Sequence, residues 1–316
     1  MPAVEIRNLT KDYEGGTFVK KKRRALDHLT LDIEEGEIFG LIGPNGAGKT
    51  TTLKLLMGLI FPSEGGARIL GRPMSDVAVK SQLGYLPENP YFYDYLTGRE
   101  LLDYYGQLFG LSRAERRGRV AELLERVGLL EAGDLQLRKY SKGMVQRLGV
   151  AQAVLNNPRV LFLDEPMSGL DPVGRRDMTL LIQELHGSGV TVLFSSHILP
   201  DVESLCQRVA ILNQGKLVRE GRLEEILDLS VHAIEVIVEN LPEAAEEELE
   251  AVAQQVHRLG HRMKLEFGAE GGVEKALELI RENGARLISV NPVKQTLEEY
   301  FVHEVTAAGP VERQKP

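Results

Sequence analysis

Short apolar runs alternate with stretches of helical spacing along most of the chain. Val4–Leu9, Leu29–Ile33 and Ile38–Ile42 are apolar and β-branched enough to predict strands. Leu83–Leu86, Val160–Leu163 and Val190–Phe194 are continuously apolar, the pattern of strands covered on both faces. Val209–Asn213 and Lys216–Glu220 flank Gln214-Gly215 and predict a hairpin. From about Asn89 to Asn157 the strand signal lapses. There, Thr97-Gly98-Arg99-Glu100 and Ser112-Arg113-Ala114-Glu115 have the spacing of capping boxes, and apolar helical sequence follows each. These patterns predict an α/β domain over 1–229 with a helical subdomain at about 89–157.

A second pattern starts near Ser230. Ile234, Val236 and Val238 alternate with polar residues, as in a half-buried strand. Leu249, Val252, Val256 and Leu259 keep helical spacing, as do Val273, Ala276, Leu277 and Ile280. Arg286–Val290 predicts another strand and Gln295–Val305 a last helix. The result is a small α+β domain over 230–306 in a β-α-β-α-β-α order, with 307–316 as a frayed tail.

Composition narrows the classes of function. The 316 residues carry a net charge of -8, so the surface as a whole is not a nucleic-acid footprint. Cys206 is the only cysteine; no intrachain disulfide can form, which suits a reducing compartment. The longest apolar run, Leu55–Phe61, is far below the roughly 20 residues of a membrane span. Met1-Pro2-Ala3-Val4-Glu5 lacks the basic and apolar regions of a signal peptide. Any membrane role is therefore expected to rest on a partner.

The chemistry begins at Gly43-Pro44-Asn45-Gly46-Ala47-Gly48-Lys49-Thr50, which fits the phosphate-loop pattern G-x-x-x-x-G-K-[ST] and continues into Thr51. A strand leads in and a helix leads out. The glycines allow backbone N–H groups to turn toward phosphates, and the helix N-terminus adds partial positive charge. Lys49 is placed to reach the β- and γ-phosphates, and Thr50 to offer a hydroxyl to Mg²⁺. Kinases, GTPases and many ATPases share this loop. Val160–Leu163 then ends in Asp164-Glu165. Asp164 stands where a phosphate-loop enzyme holds Mg²⁺, and Glu165 is placed to polarise the attacking water; two acids ending a strand can also be a helix cap or turn.

Tyr140-Ser141-Lys142-Gly143-Met144 precedes that strand, and Ser168-Gly169-Leu170-Asp171 follows it. On its own, Ser141 reads as the N-cap of the helix running toward Leu155. With the phosphate loop and Asp164-Glu165, however, these segments resemble the ATP-binding-cassette (ABC) ATPases. Ser141 and Gly143 match their signature motif, Asp171 closes a segment like their D-loop, and His197 after Ser195-Ser196 resembles their switch histidine. Tyr13 lies where family members stack an aromatic on adenine, although a tyrosine there can also simply pack. The likeness runs from about Val4 to Leu229.

Some positions depart from the family pattern. Tyr140, Lys142 and Met144 differ from the common signature. Glu88 stands in Gly84-Tyr85-Leu86-Pro87-Glu88 where most members have glutamine; it too offers a hard oxygen ligand to Mg²⁺. Tyr91, Phe92, Tyr93 and Tyr95 follow, either packing the helical subdomain or walling a groove for a membrane subunit. Lys20–Arg24 is a basic run in what reads as a long loop between Tyr13 and Leu26: a solvated loop, or a contact for anionic lipid or an acidic partner face. Val290-Asn291-Pro292 and Thr296–Phe301 resemble the short C-terminal domain of bacterial exporter cassettes.

The resemblance implies a P-loop ABC cassette that binds ATP and Mg²⁺ and hydrolyses ATP in a head-to-tail dimer with an identical or different second cassette. Ser141 and Gly143 of one subunit would complete the site of the other. It further implies a separate transmembrane permease that binds the transported substrate, a peripheral location on the cytoplasmic face of the inner membrane, and export rather than import. No nucleic-acid partner is expected. The rivals are a soluble ABC protein acting on the ribosome or nucleic acid, which usually carries two cassettes or a long coiled-coil insertion, and a regulatory nucleotide-binding module, against which the intact Lys49, Asp164, Glu165 and His197 argue.

Overall fold

A computed structural model describes residues 2–15, 21–226, 231–268, 271–294 and 297–298. The chain divides into two compact units, one ending at Leu223 and the other starting at Glu224. Among the described residues no helix is long and apolar enough to cross a membrane.

The first unit opens with two long antiparallel strands, β1 (Pro2–Gly15) and β2 (Lys21–Glu34), followed by β3 (Ile38–Ile42) and helix α1 (Lys49–Leu56). Next come β4 (Glu64–Ile69), β5 (Arg72–Pro73), a single turn α2 (Val77–Lys80) and β6 (Leu83–Leu86). Helices α3 (Gly98–Leu108), α4 (Arg113–Arg126) and α5 (Lys142–Ala153) form the helical part. The chain returns through β7 (Val160–Asp164), α6 (Pro172–Gly187), β8 (Thr191–Ser196), α7 (Leu199–Leu205), and the hairpin β9 (Arg208–Asn213) and β10 (Lys216–Arg222). The turn α8 (Leu223–Ile226) follows.

Two sheets result. One is antiparallel in the order β2-β1-β4-β5; the other runs β10-β9-β3-β8-β7-β6, parallel except for its edge hairpin. Every residue of β3, β7 and β8 is buried, as their unbroken apolar runs predict. Leu53, Leu55 and Leu56 of α1 share one apolar cluster with Ile6, Leu9 and Ile33 of the antiparallel sheet and Phe39, Phe162 and Leu193 of the parallel one. The helix that leaves the phosphate loop is therefore fixed from two sides. Both expected capping boxes are formed, Thr97 with Glu100 and Ser112 with Glu115.

Two readings of this unit need correction. The segment after Tyr13 is not a long loop: β1 and β2 remain paired out to Gly15↔Lys21, so Lys21–Arg24 lie on a strand, while Lys20 falls outside the described residues. Arg and Lys residues carry no apolar signal, which hid the extension. The strand β4 was also invisible, because Glu64-Gly65-Gly66-Ala67 has neither β-branched residues nor alternation; its pairing with β1 supplies what the local sequence lacks.

The second unit is an antiparallel sheet in the order β12-β13-β11-β14, formed by β11 (Val231–Glu239), β12 (Gln255–Leu259), β13 (Arg262–Gly268) and β14 (Arg286–Lys294). Helices α9 (Glu243–Glu250) and α10 (Val273–Glu282) contribute Leu249, Ala276 and Ile280 to a core with Val236, Val238, Met263, Leu265 and Phe267. The helical spacing through Val256 and Leu259 misleads. The helix stops at Glu250, and both residues lie on β12, which turns through Gly260-His261 into β13. Leu249 and Val256 reach the same core from different elements, so their spacing mimics one helical face. The expected boundary near Ser230 and tail 307–316 lie outside the described residues, as does the Gln295–Val305 helix except for Leu297 and Glu298.

Close backbone approach joins β6 to α5. A β-carbon at Gly84 would collide with the Ala153 carbonyl oxygen and lie 2.9 Å from Leu161 Cδ1. Gly84→Ala is therefore expected to lower stability by about 1–3 kcal/mol, seen as a lower urea midpoint. An unchanged midpoint would mean that α5 can move off β6 without cost.

Candidate functional site

The phosphate loop spans from the end of β3 to the start of α1, where sequence places it. Gly48 caps the helix at φ 109°, and a β-carbon there would lie 2.7 Å from the Ala25 carbonyl oxygen. No other residue type fits that conformation and that approach together. The loop is tied down by Ala47 N–H donating to Pro44 O at 3.1 Å and Gly215 N–H donating to Ala47 O at 3.0 Å.

Lys49 is buried, and its ammonium donates to the Gly43 carbonyl at 2.6 Å and reaches the Pro44 carbonyl at 3.4 Å. It also lies 3.1 Å from Glu165 Oε1. The other Glu165 oxygen, Oε2, is 2.8 Å from His197 Nδ1. One carboxylate thus bridges the loop lysine and the histidine beyond β8. The Glu165 backbone is left-handed at φ 49°, an arrangement that costs a non-glycine residue about 1–2 kcal/mol. Its N–H is held by Ser195 Oγ at 3.0 Å and by Ser195 O at 3.2 Å, which fixes that turn.

Asp164, one residue earlier, lies beneath the loop. Its Oδ1 accepts hydrogen bonds from Ser195 Oγ at 2.6 Å and from Thr50 Oγ1 at 3.0 Å. Burial pushes its carboxyl above the ordinary range, against the downward pull of these two hydroxyls; the charge on Glu165 pushes it up further. Thr50 and Asp164 are therefore adjacent hard-oxygen groups.

These residues border a cleft of about 700 Å³ lined by Asn45–Thr51, Tyr13, Glu88, Glu165 and His197. Gly43 and Pro44 stay behind the loop, where their carbonyls hold Lys49. Ser141, Gly143 and Asp171 do not reach this cleft. Ser141 caps α5, accepting from Met144 N–H at 3.2 Å, and Asp171 caps α6, accepting from Gly174 N–H at 2.7 Å. Both caps are exposed. Three further cleft residues, Arg23, Ala25 and Ser168, were missed by sequence reasoning. Arg23 and Ala25 both lie on β2, so the basic run read as strand would have placed Arg23 beside Tyr13, its partner in register.

The tyrosines of the aromatic run are not packed inward, Tyr91 being 93% exposed and Tyr95 62%, whereas Phe92 is half-buried. Tyr91 and Phe92 line a separate hollow of about 370 Å³ with Pro87, Tyr105 and Phe109.

Residues 26–168 match the ABC transporter family model. An ABC transporter ATP-binding protein of Synechocystis is 43% identical over 309 residues, which cover 97% of this chain and 85% of that protein. The bacitracin transport ATP-binding protein BcrA of Bacillus licheniformis is 34% identical over 306 residues, 95% of this chain and 96% of BcrA. A dimeric ATP-binding cassette solved in a post-hydrolysis state with ADP and Pi superposes with a TM-score of 0.64 at 27% identity, covering 70% of this chain and 99% of that one. With a near-full-length relative at this identity and a phosphate loop backed by paired carboxylates, the chain belongs to the ABC transporter family as an ATP-binding subunit, an ATPase.

Proposed function

We propose that the cleft along Asn45–Thr51 holds ATP with Mg²⁺ and that Glu165 is the residue on which hydrolysis turns. The observation that carries this reading is the bridge from Lys49 through Glu165 to His197. Tyr13 flanks the adenine, and the loop N–H groups with Lys49 take the phosphates. A triphosphate would compete with Glu165 and the Gly43 carbonyl for Lys49. Glu165, released from that pair but kept beside His197, is then free to orient and deprotonate water. His197, with Glu165 on its Nδ1, steadies the γ-phosphate.

The metal reading rests on the donor set. Among the described residues no three His, Cys, Asp and Glu side chains form a protein cage. Thr50 and Asp164 instead offer a few oxygens, and Glu88 one more at the cleft edge, which fits an ion that prefers phosphate and water to complete its shell. Mg²⁺ bound there would offset the charge of the phosphates.

The exposed N-termini of α5 and α6 support a head-to-tail dimer, in which Ser141 and Gly143 of one subunit face the nucleotide of another and Asp171 lies at the seam; the dimeric cassette with ADP and Pi supports it as well. Closure of two such subunits, identical or different, would pull on a transmembrane permease that binds the cargo, with the cassette peripheral on the cytoplasmic face of the membrane. The hollow behind Tyr91 is suited to an element of that permease. Glu88, the C-terminal unit and the likeness to a bacitracin transport protein favour export.

Glu165→Gln keeps the shape but removes the base and one negative charge beside the phosphates. Turnover is expected to fall by about 10²–10⁴-fold while MgATP binds at least as tightly as in the parent. Parent-like turnover would show that Glu165 is misassigned.

Glu88→Gln removes a charge that repels phosphate when no metal intervenes. ATP affinity should then depend less on Mg²⁺ than in the parent, measured by titration with and without the metal. The same Mg²⁺ dependence in both proteins would remove Glu88 from the site.

For the hollow, Tyr91→Glu should abolish co-purification with the permease from membranes yet leave basal ATPase activity within about twofold, because Tyr91 is almost wholly exposed and outside the cleft. Retained co-purification would place the permease elsewhere.

A further inference from the structure

Neighbouring side chains on a strand point to opposite faces, and β2 uses this to separate two arginines of the basic run. Arg24 is held on one face: its Nε lies 2.9 Å from Asp12 Oδ1, and its Nη1 2.9 Å from Asp27 Oδ1. Arg23 goes the other way. It sits directly across from Tyr13 in the β1–β2 register, and both residues line the nucleotide cleft.

The Arg23 guanidinium reaches the phosphate loop. Its Nη2 lies 3.6 Å from the position that a β-carbon on Gly46 would occupy. Among the described residues, no carboxylate, carbonyl or aromatic ring is hydrogen-bonded, ion-paired or stacked with this guanidinium. Nearby cations differ: Lys49 has Glu165 and Gly43 O, and Arg24 has two aspartates. A fixed positive charge with five N–H donors and no acceptor of its own therefore borders the cleft beside the phosphate loop Asn45–Thr51.

We propose that Arg23 is a nucleotide-binding residue whose guanidinium hydrogen-bonds phosphate oxygens of the bound nucleotide from the antiparallel sheet, on the outer side of the loop at Gly46. This rests on the reading of the cleft as the nucleotide site. A phosphate role is favoured over stacking on the base because the loop atom Arg23 approaches belongs to Gly46, whereas Tyr13 already supplies a ring. It also gives the basic run a use: strand pairing sets Arg24 to fasten β2 to β1 and Arg23 to meet the ligand.

Calorimetric titration of the full chain with MgATP, MgADP and adenosine tests this. Arg23→Gln should weaken MgATP and MgADP by roughly 5- to 20-fold and leave adenosine unchanged, and Arg23→Lys should recover part of the loss. Arg24→Gln, on the opposite face, should bind all three within about twofold of the parent. Lys49→Ala is the control for the cleft itself. If it leaves MgATP binding intact, the reading of the cleft fails, and the Arg23 assignment with it. If Lys49→Ala weakens MgATP but Arg23→Gln does not, only the Arg23 assignment falls. An equal loss for adenosine and ATP in Arg23→Gln would also overturn it, since it would mean contact with the base.

Discussion

Two adjacent carboxylates at the end of a fully buried strand are the constraint around which this unit is arranged. Asp164 and Glu165 are both almost inaccessible to water, and a buried charge without partners is costly. The chain answers with a separate partner for each. Ser195 and Thr50 donate to Asp164, and Lys49 with His197 flanks Glu165. Those partners come from β8, from α1 and from the loop beyond β8, so satisfying the two acids fixes the relative positions of three segments. The burial that raises the Asp164 carboxyl also sets a sign. The native state holds this proton more tightly than the unfolded chain, so stability from this group falls as pH rises through the interval just above the ordinary carboxylate range. At neutral pH the hydroxyls of Ser195 and Thr50 offset part of that cost.

Ser195 shows how fold and site are linked. Its hydroxyl donates to Asp164 and accepts from the Glu165 N–H, and its carbonyl accepts from that same N–H. A single residue of β8 thus sets the orientation of one acid and the left-handed backbone of the next. The parallel pairing Asp164↔Ser195 brings it there, and that pairing rests on the apolar runs of β7 and β8. Core packing is in this sense upstream of the chemistry: the apolar strands decide the register, and the register decides which hydroxyl meets which carboxylate.

Much of this was legible in the sequence, for definite reasons. Continuous apolar runs gave β3, β6, β7 and β8 to within a residue or two, because strands buried on both faces are apolar along most of their length. The phosphate loop and Asp164-Glu165 were legible because close turns and charge placement require particular residue types. Ser195 was seen only as part of a motif around His197; its double hydrogen bond depends on strand register, which no local pattern encodes. Arg23 and β4 were hidden for a related cause. Their structure is imposed by pairing with β1, and neither the arginines nor the glycines involved carry an apolar signal. In the second unit, helical spacing bridged α9 and β12 because both elements face one core.

The extension of β1 and β2 changes how the basic run should be understood. As a loop, Lys20–Arg24 would be a flexible charge cluster whose partners could be any acidic surface. On the strand, Arg23 and Arg24, next to each other in sequence, face opposite environments. Arg24 becomes part of the hairpin's own ion pairs and Arg23 part of the cleft, while Tyr13 and Arg23 are joined by their register. The antiparallel sheet is then more than a cover for α1. It delivers an aromatic ring and a cation to the same cleft that the phosphate loop and Lys49 line from the start of α1.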